Sequence, residues 1–224
     1  MTVYLKFLAI SFSALLPLIN PIASSLVFLS MVGSAPREVI RSLSKKIALG
    51  TTLFLFAMDL GGAGVLKLFG ISLPVMQLGG GLVLIAMGWR LLNEGDAPPQ
   101  GEPKTGAAEH AALQGRVFYP FTFPVTAGPG ALVVTLTLSA HASKRTLEEA
   151  IFAHLGIFSA IVLLCVAVFL CYSYAKAIAQ KVSQQTAHGI LRVVSFFLLC
   201  IGVQIAWNGL SALLAASNLL QNKP

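Results

Sequence analysis

Charged residues are scarce in this chain. Only 10% of its 224 residues are charged and 56% are hydrophobic, with a mean hydropathy of +0.83. Soluble domains carry about 25% charged residues, so the composition excludes a soluble globular domain and predicts a protein of the lipid bilayer. The net charge of +7 comes without a basic stripe interleaved with aromatic residues, which argues against a nucleic-acid partner.

The chain also lacks paired cysteine motifs, clustered histidines and nucleotide-binding motifs. Cys165, Cys171 and Cys200 lie in apolar runs without CxxC spacing and are expected to be small core residues. The histidines are scattered along the chain: His110, His141, His154 and His188. No GxxxxGK[ST] motif occurs. The sequence therefore predicts no metal site, no cofactor and no ATP-driven pump.

Apolar runs long enough to cross a bilayer occur six times. A helix needs about 20 apolar residues to cross the hydrocarbon core. The predicted spans are Tyr4 to Val32, Ile47 to Phe69, Leu73 to Leu92, Val117 to Ala140, Ile151 to Tyr174 and Ile190 to Ala216. The first would be about 44 Å long as a straight helix at 1.5 Å per residue, so it must kink, tilt or re-enter the membrane.

The fourth predicted span contains helix-breaking residues. Pro124, Gly128, Pro129 and Gly130 fall within the stretch Phe121 to Ala131. Proline lacks a donor NH and clashes with the preceding turn, and glycine permits unusual backbone angles. An interrupted helix leaves backbone groups without partners. In hydrocarbon, such backbone is tolerated only where it is buried in protein or lines a water-filled cavity. The pattern predicts a helix broken between Pro124 and Gly130.

A matching interruption is predicted in the first span. Pro17 and Pro21 lie in the apolar run Leu15 to Ser25. The pairs Asn20-Pro21 and Gly128-Pro129 are 108 positions apart, about half the chain. Breaks at corresponding places in two halves are the sequence pointer to a transporter's binding site.

Basic residues indicate the orientation of the spans. Loops one, three and five, with their flanks, contain ten lysines and arginines: Arg37, Arg41, Lys45, Lys46, Arg90, Lys104, Arg116, Lys176, Lys181 and Arg192. The other side contains five: Lys6, Lys67, Lys144, Arg145 and Lys223. The positive-inside tendency predicts that the first set is cytoplasmic and that both termini are periplasmic.

The fold expected from these features is an all-α membrane protein of two inverted three-helix repeats. Residues 1–92 and 117–224 each contain three predicted spans, an odd number, so the second half must cross in the opposite sense to the first. Residues 93–116 form a polar stretch rich in proline, glycine, glutamate and alanine, which is typical of a flexible cytoplasmic linker.

Several motifs, in order, resemble those of the MarC family. They are Pro17-x-x-Asn20-Pro21, Phe69-Gly70-Ile71-Ser72 followed by Gly80-Gly81, Pro124 with Ala127-Gly128-Pro129-Gly130, and Gly202-Val203-Gln204 with Asn208-Gly209. The likeness extends from about Leu15 to Leu213, apart from the linker. This family comprises bacterial six-span inner-membrane proteins (UPF0056 type), grouped with neutral amino acid transporters and more distantly with LysE-type exporters. The resemblance implies a transporter of neutral amino acids or related metabolites. Asp59 departs from the family pattern and gains no role from it.

Polar side chains and freed backbone beside the two breaks form the predicted substrate site. The candidates are Asn20, Pro21, Ser24, Thr122, Thr126, Gly128, Pro129 and Gly130. Amide and hydroxyl groups there could hold a substrate's ammonium and carboxylate, or a sodium ion through oxygen ligands. The alternative is that these residues only satisfy their own kinked helices.

Three further polar residues lie within predicted spans. Asp59 is the only acidic residue deep in any of them, where a charge costs at least about 2.5 kcal/mol, so it is a candidate proton carrier. Alternatively, water reaches it or a neighbouring helix pairs with it. No histidine is expected near Asp59. Gln204 and Asn208, four residues apart on one helix face, either line the transport path or cross-link helices.

The sequence therefore predicts an inner-membrane secondary transporter or exporter of small polar metabolites, driven by a proton or sodium gradient or working as a uniporter. A channel and a non-transporting scaffold or accessory protein are the alternatives. An enzyme is not expected, because no nucleophile with a base, no paired carboxylates and no histidine cluster are visible. The composition is compatible with a homo-oligomer.

Overall fold

The computed structural model describes residues 1–33, 35–93, 115, 117–143, 145–181 and 184–221. In this part of the chain the structure is helical and contains no β-strand, which confirms the all-α prediction. The elements are α1 Thr2–Ile19, α2 Pro21–Val32, α3 Arg37–Leu68, α4 Leu73–Asn93, an irregular segment Val117–Thr126, α5 Pro129–Ala142, α6 Leu147–Ser173, α7 Ala175–Lys181 and α8 Gln184–Gln221. The proposed linker, residues 93–116, falls almost entirely outside the described residues.

Four stretches are long and apolar enough to cross a membrane: Thr2–Leu29, Leu73–Arg90, Leu147–Ser173 and Ser195–Ser217. The irregular segment and α5 make a fifth if the bent pair is one span. α3 contains the predicted second span but is not among them, and it carries seven charged residues, including Asp59. Within the described residues the structure thus supports four or five spans, and the count of six stays a prediction.

The first interruption lies at Asn20. α1 continues through Pro17 and ends at Ile19, because Asn20 adopts the left-handed conformation with φ 40° and ψ 72°. Asparagine is one of the few residues that tolerate this conformation. Its side-chain oxygen then accepts a hydrogen bond from the Ala23 amide at 3.4 Å, and Pro21 occupies the first position of α2. Asn20 therefore ends one helix and caps the next.

The second interruption is longer than the sequence predicted. The irregular segment and α5 meet at an angle of 72°, with Ala127 and Gly128 between them. Tyr119 and Phe123 have extended backbone angles inside the segment. Both residues precede a proline, whose ring disfavours helical angles in the residue before it. The expectation of regular helix from Val117 to Pro124 is wrong for this reason.

Glycines allow α4 and α8 to pack backbone to backbone. A Cβ on Gly202 would lie 2.8 Å from the Ile85 nitrogen and 2.9 Å from the Gly81 oxygen. A Cβ on Gly81 would collide with Ala206 and the Gly202 oxygen. In lipid, where no hydrophobic effect drives helices together, such close approach maximises dispersion contacts.

Two further helix contacts define the ends of the bundle. The Tyr4 hydroxyl near the start of α1 donates a hydrogen bond to Ser159 in the first half of α6 at 3.1 Å. The Lys176 ammonium in α7 donates to the carbonyl of Ala35, between α2 and α3, at 3.0 Å. The segments that precede α3 and follow α6 therefore meet at one end, and the start of the chain lies toward the other.

The α4–α8 contact predicts that only one of two alanine substitutions in α4 lowers stability. Gly81→Ala forces a methyl group into the α8 backbone and should lower the stability by about 1–3 kcal/mol. Gly79→Ala is the matched control in the same helix, because a Cβ there meets no atom within 4 Å. Thermal unfolding in detergent, followed by size-exclusion chromatography, should give a lower midpoint for Gly81→Ala alone. Equal midpoints for the two variants would contradict the packing.

Candidate functional site

The hydroxyl of Tyr172 connects the two helix breaks. Tyr172 lies near the end of α6, and its side chain is 0% exposed. Its hydroxyl is 2.8 Å from the Thr126 hydroxyl, which precedes the second break. The side chain of Ser24, which follows the first break, lies close to the same hydroxyl. One buried phenol therefore joins elements that are about 100 residues apart in sequence.

Aromatic packing reinforces this junction. The Phe28 ring from α2 stacks on Tyr172 with centroids 4.6 Å apart. It meets the Phe121 ring of the irregular segment edge-on, with centroids 5.5 Å apart. Phe28 and Phe121 are fully buried. We call this group, Ser24, Phe28, Phe121, Thr126 and Tyr172, the break junction.

The predicted candidates on the first break are largely occupied by local hydrogen bonds. Ser24 donates to the Asn20 carbonyl at 2.9 Å, and Ser25 donates to the Ile22 carbonyl at 2.6 Å. The side-chain oxygen of Asn20 caps α2. At the first break, these side chains therefore mainly satisfy the backbone of their own kinked helix.

The second break differs, because it contains a buried hydroxyl without a partner. Thr126 donates to the Phe121 carbonyl at 2.7 Å, but the Thr122 hydroxyl has no hydrogen-bond partner among the described residues. The same holds for the hydroxyl of Thr51 in α3. Gly50, the neighbour of Thr51, faces Thr122 so closely that a Cβ there would lie 3.0 Å from the Thr122 hydroxyl. A buried hydroxyl without a partner is costly, so Thr122 marks a point where a polar ligand would restore the lost hydrogen bond.

The start of α5 has no side-chain cap. Gly128 is its N-cap residue and Pro129 its first residue. A helix N-terminus carries partial positive charge and free amide groups. Gly130 lies against Leu18 of α1 and Leu84 of α4, with no room for a side chain. The N-terminus of α5 therefore packs between α4 and the end of α1 that precedes the first break.

Gln204 and Asn208 lie away from the junction. Both are on the exposed face of α8, and the Gln204 amide donates to the Asn208 side-chain oxygen at 3.0 Å. They satisfy one another, and no contact of theirs to another helix is seen in the described part of the chain. Their proposed roles stay predictions.

Asp59 has a histidine partner that sequence reasoning missed. The Nδ1 atom of His154 in α6 lies 3.0 Å from both carboxylate oxygens of Asp59. The expectation that no histidine lies near Asp59 is wrong, because α3 and α6 pack together and bring residues 95 positions apart into contact. The described residues hold no group of three or more His, Cys, Asp or Glu arranged for a metal ion.

The site residues that the sequence did not predict, Tyr172 and His154, had only weak signals. Tyr172 is a polar aromatic residue inside an apolar run, which is ordinarily read as a membrane-interface residue. His154 lies near the start of a predicted span and was grouped with the loop histidines. Their partners come from other helices, and helix pairing cannot be read from local spacing.

The break junction predicts that loss of the Tyr172 hydroxyl lowers the stability of the protein. Tyr172→Phe removes the hydroxyl that bonds to Thr126 and should lower stability by about 0.5 to 2 kcal/mol, the usual range for interhelical hydrogen bonds in membranes. Tyr174→Phe is the control, because Tyr174 is exposed. Thermal unfolding in detergent measures both, and an unchanged midpoint for Tyr172→Phe would argue against the bridge.

Comparison with known proteins gives the family. The model of the MarC family of integral membrane proteins matches residues 5–214. The UPF0056 inner membrane protein MarC of Salmonella typhimurium is 27% identical over 209 residues, which cover 91% of this chain and 94% of the relative. The protein of the same name from Escherichia coli O1:K1 is 29% identical over 219 residues, covering 92% and 94%. No solved structure matches. The chain, from α1 to α8, therefore belongs to the MarC family of integral membrane proteins.

Proposed function

We propose that this chain is a secondary transporter or exporter of the bacterial inner membrane that moves small polar metabolites, with neutral amino acids as the expected substrates. The location is supported by the relatives, which are described as inner membrane proteins. The proposal assigns the chain no chemical reaction and needs no cofactor.

The observation that carries the proposal is the meeting of two broken helices around buried polar groups. Broken helices at the centre of a membrane protein form substrate sites in many transporters, because their freed backbone groups replace water around the cargo. Here Tyr172 joins the breaks, and Thr122 beside them keeps a hydroxyl without a partner among the described residues.

A neutral amino acid fits the chemistry of these groups. Its carboxylate would lie at the uncapped N-terminus of α5, where the amide groups and the helix dipole favour an anion. Its ammonium would donate to the hydroxyl oxygen of Thr122, which has no partner among the described residues. A sodium ion could use the same oxygen, since hard cations prefer oxygen ligands.

The contact between α4 and α8 supports two inverted repeats, residues 1–92 and 117–224, joined by the linker 93–116. Gly81 contacts Gly202 and Ala206, and Gly202 contacts Gly81 and Ile85. Gly88 contacts Ser195 and Leu199, and Gly209 contacts Pro74 and Leu78. Adding 121 to the number of a residue in α4 gives its counterpart in α8, and each contact then has a reciprocal contact: Gly81–Ala206 corresponds to Gly202–Ile85. A two-fold axis between two related halves would require this reciprocity.

The remaining helix contacts show the same two-fold relation between the halves. α1 packs on α6, and α3 packs on the irregular segment and α5, so the first element of each half contacts the second element of the other. α3 and α6 contact each other directly. In inverted-repeat transporters, rocking of one repeat against the other exposes a central site alternately to the two sides. We propose the same movement here, with both termini periplasmic as the basic residues predict.

The burial of the junction favours a carrier over a channel. Thr122, Thr126 and Tyr172 are each 0% exposed, which corresponds to an occluded site. A carrier passes through an occluded state in each cycle, whereas a channel needs a continuous path. Saturable counterflow separates the two.

The proposal predicts a transport defect without a folding defect in Thr122→Val. The substitution keeps the side-chain shape and removes a hydroxyl that has no protein partner, so stability should not fall. Loss of one hydrogen bond to a charged ligand costs about 1.5–3 kcal/mol, so substrate affinity should fall about tenfold or more. The measurement is counterflow of a panel of radiolabelled neutral L-amino acids into proteoliposomes.

Thr137→Val is the matched control. Its hydroxyl also lacks a partner in the described structure, but it lies two turns along α5 from the break. Absence of counterflow for the whole panel in the unmodified chain would favour a scaffold or accessory protein. Equal affinity in Thr122→Val and Thr137→Val would contradict the assigned site.

A further inference from the structure

Asp59 and His154 form an isolated acid–base pair between α3 and α6. The carboxylate of Asp59 is 0% exposed and accepts from His154 Nδ1, while the His154 side chain is 21% exposed. While Asp59 is ionised, an Nδ1 atom 3.0 Å from both carboxylate oxygens carries the proton that they share. The second ring nitrogen, Nε2, is then free to accept or release one.

His154 connects the buried carboxylate to a pocket. The pocket has a volume of about 730 Å³ and includes His154, Ser143 and Arg145 beside apolar side chains such as Phe56 and Phe158. Asp59 is not among its lining residues. A proton that enters from the pocket therefore reaches Asp59 through the imidazole ring.

The neighbouring charged groups are already engaged elsewhere. Arg145 pairs with Glu149 at 3.4 Å and lies over the Phe7 ring of α1. His141 on α5 contacts the Thr137 carbonyl of its own helix through Nδ1 at 2.7 Å. Among the described residues, His154 is the titratable group that contacts the Asp59 carboxylate.

The set resembles a serine–histidine–aspartate triad, but its geometry does not favour a nucleophile. Ser143 Oγ lies 3.4 Å from His154 Nε2 and donates instead to the Ser139 carbonyl at 3.0 Å. Ser143 also caps the C-terminus of α5, where the helix dipole would destabilise a developing oxyanion. Proton binding is the chemistry that this arrangement supports.

α5 links this pair to the substrate site. The Ser139 hydroxyl donates to the Asp59 backbone carbonyl, which ties α5 to α3 beside the pair. Pro129, at the other end of the same helix, adjoins the second break. Ten residues separate them, about 15 Å along one rigid helix.

We propose that Asp59 and His154 are the proton site that couples transport to the proton gradient. This inference rests on the proposed transport function and names its coupling ion. A proton from the pocket binds His154 Nε2, and the Nδ1 proton passes to the Asp59 carboxylate, so the pair gains one proton and its net charge changes from −1 to 0. Neutralising a buried charge alters the attraction between α3 and α6, and α5 transmits the change to the break junction.

The test uses the full chain in proteoliposomes and separates coupling from carriage. Labelled neutral L-amino acids are measured in two modes: accumulation driven by an imposed pH gradient, and counterflow at equal pH. Asp59→Asn and His154→Gln should lose accumulation and retain counterflow, because both keep a hydrogen-bonding side chain of similar shape. His141→Gln, a histidine on the adjacent helix, should retain both, as should Ser143→Ala.

Each outcome bears on the proposal. Counterflow without pH-driven accumulation in the unmodified chain, or accumulation driven by sodium instead, overturns the coupling and leaves the transport function standing. Accumulation retained in Asp59→Asn overturns it too, and so does parallel loss of both modes in monodisperse Asp59→Asn and His154→Gln. Loss of activity in Ser143→Ala would favour the hydrolytic reading. Absence of counterflow in the unmodified chain removes the transport function and the coupling together.

Discussion

The structure depends on one constraint: in hydrocarbon, the backbone of a broken helix must find its partners inside the protein. Asn20 and the Gly128-Pro129 pair each interrupt a helix, and neither break could face lipid without leaving polar groups unpaired. Tyr172 joins the two interruptions, because its hydroxyl bonds to Thr126 and its ring stacks on Phe28 of α2, which in turn meets Phe121. The breaks are tolerated because they bury one another.

Local chemistry explains which parts of this arrangement the sequence could predict. Asparagine before proline and glycine before proline are strong signals, so both interruptions were predicted close to where they occur. The irregular backbone at Tyr119 and Phe123 was missed because Pro120 was not considered and Pro124 was read only as a break at its own position, although a proline also constrains the residue before it. The partners of Asp59 and Thr126 were missed for another reason, since His154 and Tyr172 reach them from a helix that is distant in sequence.

α5 unites the two polar sites of the molecule. Its N-terminus adjoins the break junction, and its last turns contact the Asp59–His154 pair through Ser139 and Ser143. It is short, 14 residues, and it begins at a bend of 72°. A short helix hinged at one end can tilt without dragging a full membrane span. On this account, α5 transmits protonation of the Asp59–His154 pair to the break junction while one repeat rocks against the other.

Cross-linking across the break junction tests most directly whether two interrupted helices meet and must separate. In a chain whose native cysteines are replaced, Phe28→Cys and Phe121→Cys introduce thiols at side chains whose rings lie 5.5 Å apart. The account predicts that oxidation joins them in the membrane and that the joined protein loses counterflow, which reduction restores. No cross-link, or full counterflow while the link is intact, would contradict it.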